Sequence, residues 1–506
     1  MPDYNGKPSS QALAMSCPCN HILYDGSRGP GKTDAQLMYF RRFVGQGYGQ
    51  FWTGIIFDRQ FSMLDDLIKK SRRWFPRFKD GARFTKGGSL RWEWPTGESL
   101  LFRYMRDPGD YENYHGQEYT FIGWNELTKH PTSELYDLMM SCNRSSFVPD
   151  LHSPDITNPL PPIPLTVFST TNPHGPGHIW VKERFVDVNA GKPGTVHRIT
   201  ANVFNPQTQR EEEITKTQTR IFGSYKENRF LSPEYVLELD NIKDENKRKA
   251  WLQGDWDIDA GGAFEGVWDK SVHVINRFKI PAGWRIERSF DWGSTHPFSV
   301  GFWARSNGED VKLNNGKTLY TVPGDLFRIH EWYGSLKVGT NKGIKMSARN
   351  VAIGIKEHEA DLRQQGWIST SVKPGPADSQ IYAVNEEESD SIASKMAEEG
   401  ITWLKADKRP GSRKNGLQLM RDAFENALGD KAEDGTVTRS RPGIFIFEHC
   451  EAFIKTIPFL PRDERKSGDP DDIDTTAEDH VYDESRYQVV YALKDYITEL
   501  EFSLLT

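Results

Sequence analysis

The run Gly26-Ser27-Arg28-Gly29-Pro30-Gly31-Lys32-Thr33 fits the pattern G-x-x-x-x-G-K-[ST]. Glycines at this spacing let backbone N–H groups turn toward a polyphosphate. Lys32 is placed to reach β- and γ-phosphates, and Thr33 to offer its hydroxyl to Mg²⁺. A second candidate lies in Gly116 to Leu127, where the apolar run Tyr119 to Trp124 leads into Asn125 and Glu126. A carboxylate at the end of such a strand suits a general base that positions an attacking water. The usual ending is Asp-Glu. Here Asn125 holds the first place; its amide still accepts from a metal-bound water but brings no negative charge. A third stretch, Ser169-Thr170-Thr171-Asn172-Pro173, follows the strand-like Leu165 to Phe168. Hydroxyls and an amide at the C-terminal end of a parallel strand sit where ligands bind in α/β sheets, and can sense a γ-phosphate.

Far from these, Asp291 ends a predicted strand, Asp378 follows an extended segment, and Asp479 and Asp483 open the last helix. Residues four apart share a helix face, so either of the last two can join the others. An isolated acid at an element's end is ordinarily a cap or a solvated turn. Acids that converge would offer hard oxygen ligands suited to Mg²⁺ or Mn²⁺. Two such ions support in-line cleavage of a phosphodiester.

Elements are needed to position these groups. His21 to Tyr24 reads as the strand before the glycine loop, and Thr33 onward as a helix with Leu37, Phe40 and Val44 on one face. Phe51 to Phe57 is the next strand, Phe61 to Trp74 an amphipathic helix, and Arg83 to Met105 short β pieces. Strands alternating with helices after a phosphate loop indicate an α/β domain with a mainly parallel sheet. Residues 195–260 are mixed, and Gly254-Asp255-Trp256-Asp257 with Gly261-Gly262 reads as a boundary. The pattern then resets to β strands at Trp284 to Phe290, Phe298 to Trp303 and Leu326 to Tyr333. Helices follow at 347–365 and Leu417 to Leu428, with acidic loops at Glu386 to Asp390 and Asp469 to Asp474. The expected division is 1–200, a phosphate-loop domain; 201–260, a linker or lid; and 261–506, a second domain.

The chain's 506 residues allow two to four domains, and 37% hydrophobic with 27% charged residues is ordinary globular composition. No apolar run approaches the ~18 residues of a membrane span. Met1 to Gln11 lacks a signal peptide's apolar core, so a cytoplasmic location is expected. Four cysteines, Cys17, Cys19, Cys142 and Cys450, are too few for a disulfide framework. Cys17-Pro18-Cys19 has C-x-C spacing without a second pair, which argues against zinc. The net charge of −7 excludes a wholesale basic nucleic-acid binder. It leaves local strips at Lys69 to Arg73 and Lys405 to Lys414, each read first as a solvated face.

From about residue 20 to 490 the chain resembles the large terminase subunits of tailed bacteriophages, ATP-driven motors that package and cut DNA. The resemblance rests on the ordered set Gly26 to Thr33, Ile122 to Glu126, Ser169 to Pro173, Gly254 to Trp256, Asp291-Trp292-Gly293, Ala377-Asp378-Ser379, Lys408 to Ser412 and Asp483 to Tyr487. It implies an N-terminal ASCE-type phosphate-loop ATPase domain and a C-terminal nuclease domain of RNase H-like fold. By resemblance, Lys32 and Thr33 hold nucleotide phosphate and Mg²⁺, and Glu126 is the catalytic base. Ser169, Thr170, Thr171 and Asn172 form the motif coupling hydrolysis to DNA movement. Asp291 and Asp378 are the first two nuclease acids, and Asp483 best matches the third, with Asp479 the alternative. Arg28 and Arg59 match basic positions, and a trans-acting arginine is expected among Arg144, Arg184, Arg220 and Arg229. The implied cofactors are ATP with Mg²⁺, and Mg²⁺ or Mn²⁺ at the nuclease site. The implied partners are double-stranded DNA, a small terminase subunit, a capsid portal and further copies in a ring, in the host cytoplasm and without a membrane. Asn125 departs from the family pattern. Two other readings stay open: a helicase-like or repair ATPase without nuclease activity, and a nucleotide-binding structural subunit that hydrolyses nothing.

Overall fold

The apolar runs of the first half pair into one nine-stranded sheet. The computed structural model describes all residues except 1–7, 88, 190–191, 206–207, 243–244, 257–261, 385–389, 432–436, 464–471, 476 and 506. The chain divides into two units, Met1–Ala260 and Gly261–Thr506. In the first, the strands are β1 (His21–Gly26), β2 (Thr53–Asp58), β3 (Arg83–Thr85), β4 (Arg91–Glu93), β5 (Ser99–Tyr104), β6 (Phe121–Trp124), β7 (Thr166–Thr170), β8 (Val196–Asn205) and β9 (Arg210–Gly223). Their order is β3-β4-β5-β2-β6-β7-β1-β9-β8. The central run from β5 to β9 is parallel throughout. Antiparallel β4 and β3 close one edge, and antiparallel β8 the other. One strand, β7, separates the strand that enters the glycine loop from the strand that ends in Asn125 and Glu126, as in an ASCE-type sheet.

The period of two in each central strand feeds two separate cores. Ile22, Tyr24, Ile56, Phe121 and Phe168 pack with Phe40 and Trp52 on one face. Leu23, Ile55, Phe57, Ile122, Trp124 and Val167 pack with Tyr136 and Trp180 on the other. Both faces are covered, so the central strands are buried along nearly their whole length. Helix Lys32–Arg41 crosses the first face, and Gln36 fixes it there by donating to the carbonyls of Trp124 (3.2 Å) and Phe168 (2.8 Å).

The span 201–260 is not simply a linker or lid. Within it, β9 pairs with β1 from His21↔Gln218 to Gly26↔Gly223. The reason it read as mixed is physical. Its first half pairs only with β8 in a largely exposed ribbon, so Arg210 to Thr217 needs no apolar alternation, and only its last residues are buried. Helices Pro233–Asp240 and Glu245–Gln253 follow.

The second unit has a different plan. Strands β11 (Arg285–Asp291), β12 (Ser299–Arg305) and β15 (Leu326–Tyr333) form an antiparallel meander. Strand β16 (Lys373–Ala377) adds parallel to β11, and β17 (Leu404–Lys405) parallel to β16. On the far side lie β20 (Ile444–Phe447) and β10 (Val274–Ile275). The hairpins β13 (Val311–Lys312) with β14 (Thr318–Leu319), and β18 (Asp430–Lys431) with β19 (Val437–Thr438), stand apart. The order β15-β12-β11-β16-β17 is the RNase H-like arrangement. Helix Ala348–Gln364 crosses from β15 to β16, with Ser347 as its N-cap. Val351, Ala352, Ile355 and Leu362 of that helix join Phe290, Phe302, Phe424 and Val481 in a single core.

All four cysteines are buried and free. Among the described residues, no helix is long and apolar enough to cross a membrane. The acidic stretch from 386 lies outside the described residues up to 389, and the one from 469 up to 471.

Burial lowers the imidazoles of His21, His130 and His330 to about 3. An unfolded chain takes up these protons near pH 6.5 and the folded one does not. Stability therefore falls as pH drops from 6.5 toward 3, by up to ~1.4 kcal/mol per pH unit for each histidine. Urea unfolding should show a lower midpoint at pH 5 than at pH 7, and His130→Asn should flatten that slope.

Candidate functional site

At the end of β1, Gly26 has φ 115°, and a Cβ there would stand 2.1 Å from the Gly223 carbonyl oxygen. Only glycine fits so close to β9. The loop that follows is tied down on several sides. Ser27 N–H donates to the Gly223 carbonyl (2.9 Å) and Arg28 N–H to the Trp251 carbonyl (2.7 Å). The amide side chains of Asn172, Asn228 and Gln11 donate to the carbonyls of Gly26 (2.7 Å), Gly29 (2.6 Å) and Gly31 (3.0 Å). The Arg28 guanidinium lies 3.2 Å from the centre of the Trp251 ring. Gly31, at φ 85°, starts helix Lys32–Arg41, whose first N–H groups face the loop.

Lys32 is buried, and its Nζ donates to the Ser27 carbonyl at 2.6 Å. Burial lowers its pKa to about 8, while the nearby charges of Glu126 and Asp25 pull it back up. A glycine cradle closed from outside by amides, a buried ammonium and a helix N-terminus fit a polyphosphate. Asp25, just before the loop, is buried and held by Arg220 (2.9 Å) and by the Trp256 ring N–H. Arg220, one of the four arginines expected to include a trans-acting one, is thereby paired inside its own chain. Arg184 bonds Asp137 (2.6 Å) and Arg144 the Gly116 carbonyl (2.6 Å).

The register of β6 and β7 brings the other expected residues to the same rim. Trp124 pairs with Ser169, and Tyr24 with Thr170. Asn125 Oδ1 accepts from Thr170 Oγ1 (3.3 Å) and, more distantly, from Thr33 Oγ1 (3.5 Å). Glu126 takes φ 56°, ψ 63°, a left-handed conformation that costs a non-glycine residue about 1–3 kcal/mol. Its N–H is held by Thr170 Oγ1 (3.3 Å). Thr171 meets Thr128 (2.7 Å), and Asn172 holds the glycine loop itself. The loop, Asn125, Glu126 and the turn 169–172 thus form one connected site. Sequence reasoning missed Asp58, which ends β2 and accepts from Asn125 Nδ2 at 2.7 Å. The signal was an aspartate closing an apolar strand.

The acids of the second unit also converge. Asp291 ends β11, and Asp378 follows β16 with its N–H on the Phe290 carbonyl (3.1 Å). Asp483 lies one turn into helix His480–Leu505, its N–H on the Asp479 carbonyl (2.9 Å). Burial holds Asp291 well above the usual carboxylate range, and the charges of Asp483 and then Asp378 push it further. Burial, then Asp483, brings Asp479 up to about 7. Side-chain cations compensate: Lys408 on Asp378 (2.5 Å), Arg413 on Asp479 (3.3 Å) and Arg486 on Asp483 (3.0 Å), while the His480 ring meets Asp291 at 3.3 Å. The strip Lys405 to Lys414, read as a solvated face, therefore turns two of its cations, Lys408 and Arg413, onto this acid cluster. Among the described residues, no three His, Cys, Asp or Glu side chains form a ready metal cage. The donor set, all carboxylate oxygen, nonetheless fits a hard divalent cation.

The adjacent Glu484 has a different job. It and Arg328 are both fully buried and bond at 2.6 Å. Trp303 Nε1 (3.0 Å) and Ser299 Oγ (3.3 Å) also donate to it. This anchors the helix beneath the sheet and fixes which way Asp483 faces.

A phosphate-loop sheet of ASCE type followed by an RNase H-like sheet bearing an acid cluster defines the class of this chain. No family profile and no curated protein matches it. Among solved structures, it is similar to the large terminase of a thermophilic bacteriophage, with 14% identity over 97% of this chain and 98% of that one, at TM-score 0.37. It is also similar to the HK97 bacteriophage large terminase, with 8% identity over 94% and 93%, at TM-score 0.40. The nuclease domain of the P22 large terminase matches 45% of this chain and 90% of its own length, with 16% identity and TM-score 0.30.

Glu484→Leu leaves Arg328 buried beside a single remaining carboxylate, Glu331, and should cost about 3 kcal/mol in chemical unfolding. Asp483→Asn removes a like charge from Asp291 and should leave the unfolding midpoint unchanged or higher.

Proposed function

We propose that this chain is a viral genome-packaging motor subunit that hydrolyses ATP to move double-stranded DNA and cuts that DNA with a metal-dependent nuclease. The observation behind the first activity is the hydrogen bond from Asn172 to the Gly26 carbonyl, which joins the turn 169–172 to the glycine loop beside Glu126. A change at the γ-phosphate end of the site is thereby felt by β7 directly. In this reading the loop amides, Lys32 and the helix N-terminus bind the triphosphate, Thr33 and Asn125 hold Mg²⁺, and Glu126 orients water and takes its proton. Residues 1–260 would carry this activity and 261–506 the cleavage. Asp291, Asp378 and Asp483 would hold Mg²⁺ or Mn²⁺, which supplies charge neutralisation and an activated water. Asp483 is preferred to Asp479 because its charge acts on Asp291 more strongly than any other carboxylate's. A small terminase subunit, a portal and further copies of the chain are the partners this reading calls for.

Asn125 favours a second reading, a subunit that binds nucleotide without turnover. Assays of the full chain separate the possibilities. Lys32→Ala should reduce ATPase activity by at least ~100-fold and leave cleavage in place. Asp291→Asn and Asp378→Asn should abolish Mg²⁺- or Mn²⁺-dependent cleavage and leave the ATPase. ATP turnover unaffected by Lys32→Ala would sink the first assignment. Unaffected cleavage in both aspartate variants would sink the second.

A motor that moves any sequence must hold phosphates rather than bases. DNA affinity should then fall by at least ~10-fold between ~50 and ~200 mM salt, as filter binding would measure.

A further inference from the structure

Asp58 is 0% exposed, and every group that meets it in the structure is a donor. Its Oδ1 accepts from Arg59 N–H (2.7 Å) and, more distantly, from Lys129 Nζ (3.4 Å). Its Oδ2 accepts from Asn125 Nδ2 (2.7 Å). A donor-only environment of this kind suits an ionised carboxylate. The pairing of Phe57 with Trp124 sets the ends of β2 and β6 side by side, so residues 58 and 125 meet wherever this sheet forms.

The contact decides which way the Asn125 amide points. With Nδ2 on the carboxylate, Oδ1 faces Thr33 Oγ1 (3.5 Å) and Thr170 Oγ1 (3.3 Å). Turned over, the amide would set oxygen against oxygen at Asp58. Donation to a carboxylate also draws electron density toward the amide oxygen, which makes Oδ1 a stronger acceptor on the Thr33 side. Asn125 lacks the charge of the aspartate that usually stands at its position, and a buried carboxylate lies one hydrogen bond behind it.

We propose that Asp58 is a positioning residue that supplies, through the Asn125 amide, the negative charge missing from position 125 at the magnesium-facing side of the nucleotide site. The inference rests on the reading of Gly26 to Thr33 as that site. It makes the pair Asp58–Asn125 one functional unit split across two strands.

Exchanging the two groups tests it. The full chain is compared with D58N, N125D and the double variant D58N/N125D. Equilibrium binding of a fluorescent ATP analogue is measured in Mg²⁺ and in EDTA, with ATPase kcat and KM alongside. D58N should lower the Mg²⁺-dependent gain in affinity by about tenfold while binding in EDTA stays the same. N125D alone sets two carboxylates in contact and should bind the Mg²⁺ complex less well than the double variant. In the double variant the charge moves to position 125 and the amide behind it, and the gain should return to within about threefold of the unchanged chain.

A D58N protein that keeps its Mg²⁺ gain would overturn the proposal. So would equal losses in Mg²⁺ and EDTA, the sign of a purely structural residue, or a double variant no better than D58N. If the unsubstituted chain binds no analogue, the nucleotide-site reading fails and this inference fails with it. That result appears before any substitution and so is distinct from failure of the Asp58 proposal alone.

Discussion

The parallel pairing of β1, β7 and β6 is the constraint on which the first unit depends. Parallel strands buried on both faces have a register fixed by their side chains, because a one-residue slip would send every core residue to the other face. With that register set, the C-terminal ends of the three strands line up. The glycine loop, the turn 169–172 and the pair Asn125–Glu126 then become neighbours without further adjustment. Each is polar and each emerges where backbone groups are no longer used by the ladder, so they satisfy one another. The hydroxyls of Thr33 and Thr170 meet Asn125, and Asn172 meets Gly26.

The second unit solves a harder electrostatic problem. Asp291, Asp378 and Asp479 are all buried, and burial together with the nearby Asp483 charge raises Asp291 and Asp479 above the usual carboxylate range. Placing them together opposes folding unless something else fixes their supports. Two devices do so. The strands β11 and β16 run parallel from the same core, which brings Asp291 and Asp378 to one end of the sheet. The terminal helix is held by the buried Glu484–Arg328 pair, which also bonds Trp303, Ser299 and Ser485. Surrounding Lys408, His480 and Arg413 moderate the repulsion from the rim.

Much of this was legible in the residues themselves. The glycine spacing, Lys32 and Thr33 raise the expectation of a phosphate site because few other chemistries need that pattern. The apolar runs ending at Trp124, Phe168 and Phe290 mark β6, β7 and β11, though β7 runs on to Thr170 and β11 to Asp291. The same reasoning misread β9, whose exposed ribbon carries charges and threonines where a strand signal was sought. It also treated Lys405 to Lys414 as a solvated face, since nothing local in a basic strip says that Lys408 and Arg413 will meet acids distant in the chain.

By itself, then, the sequence determined the chemistry on offer: a glycine loop ending in a lysine and a threonine, a strand-end carboxylate with an amide before it, and four candidate acids. These are properties of residue type and short spacing, which survive without a fold. Only the tertiary structure decided how the groups divide their roles. It set Asp58 against Asn125 because β2 and β6 are neighbours, though 67 residues separate the two side chains. It turned Asp483 toward Asp291 and sent Glu484 into the core, because adjacent residues on a helix face about 100° apart and only one can look at the sheet's end. It committed Arg220 to Asp25 because β9 returns to lie beside β1. Such pairings depend on strand order and register, which no local spacing records.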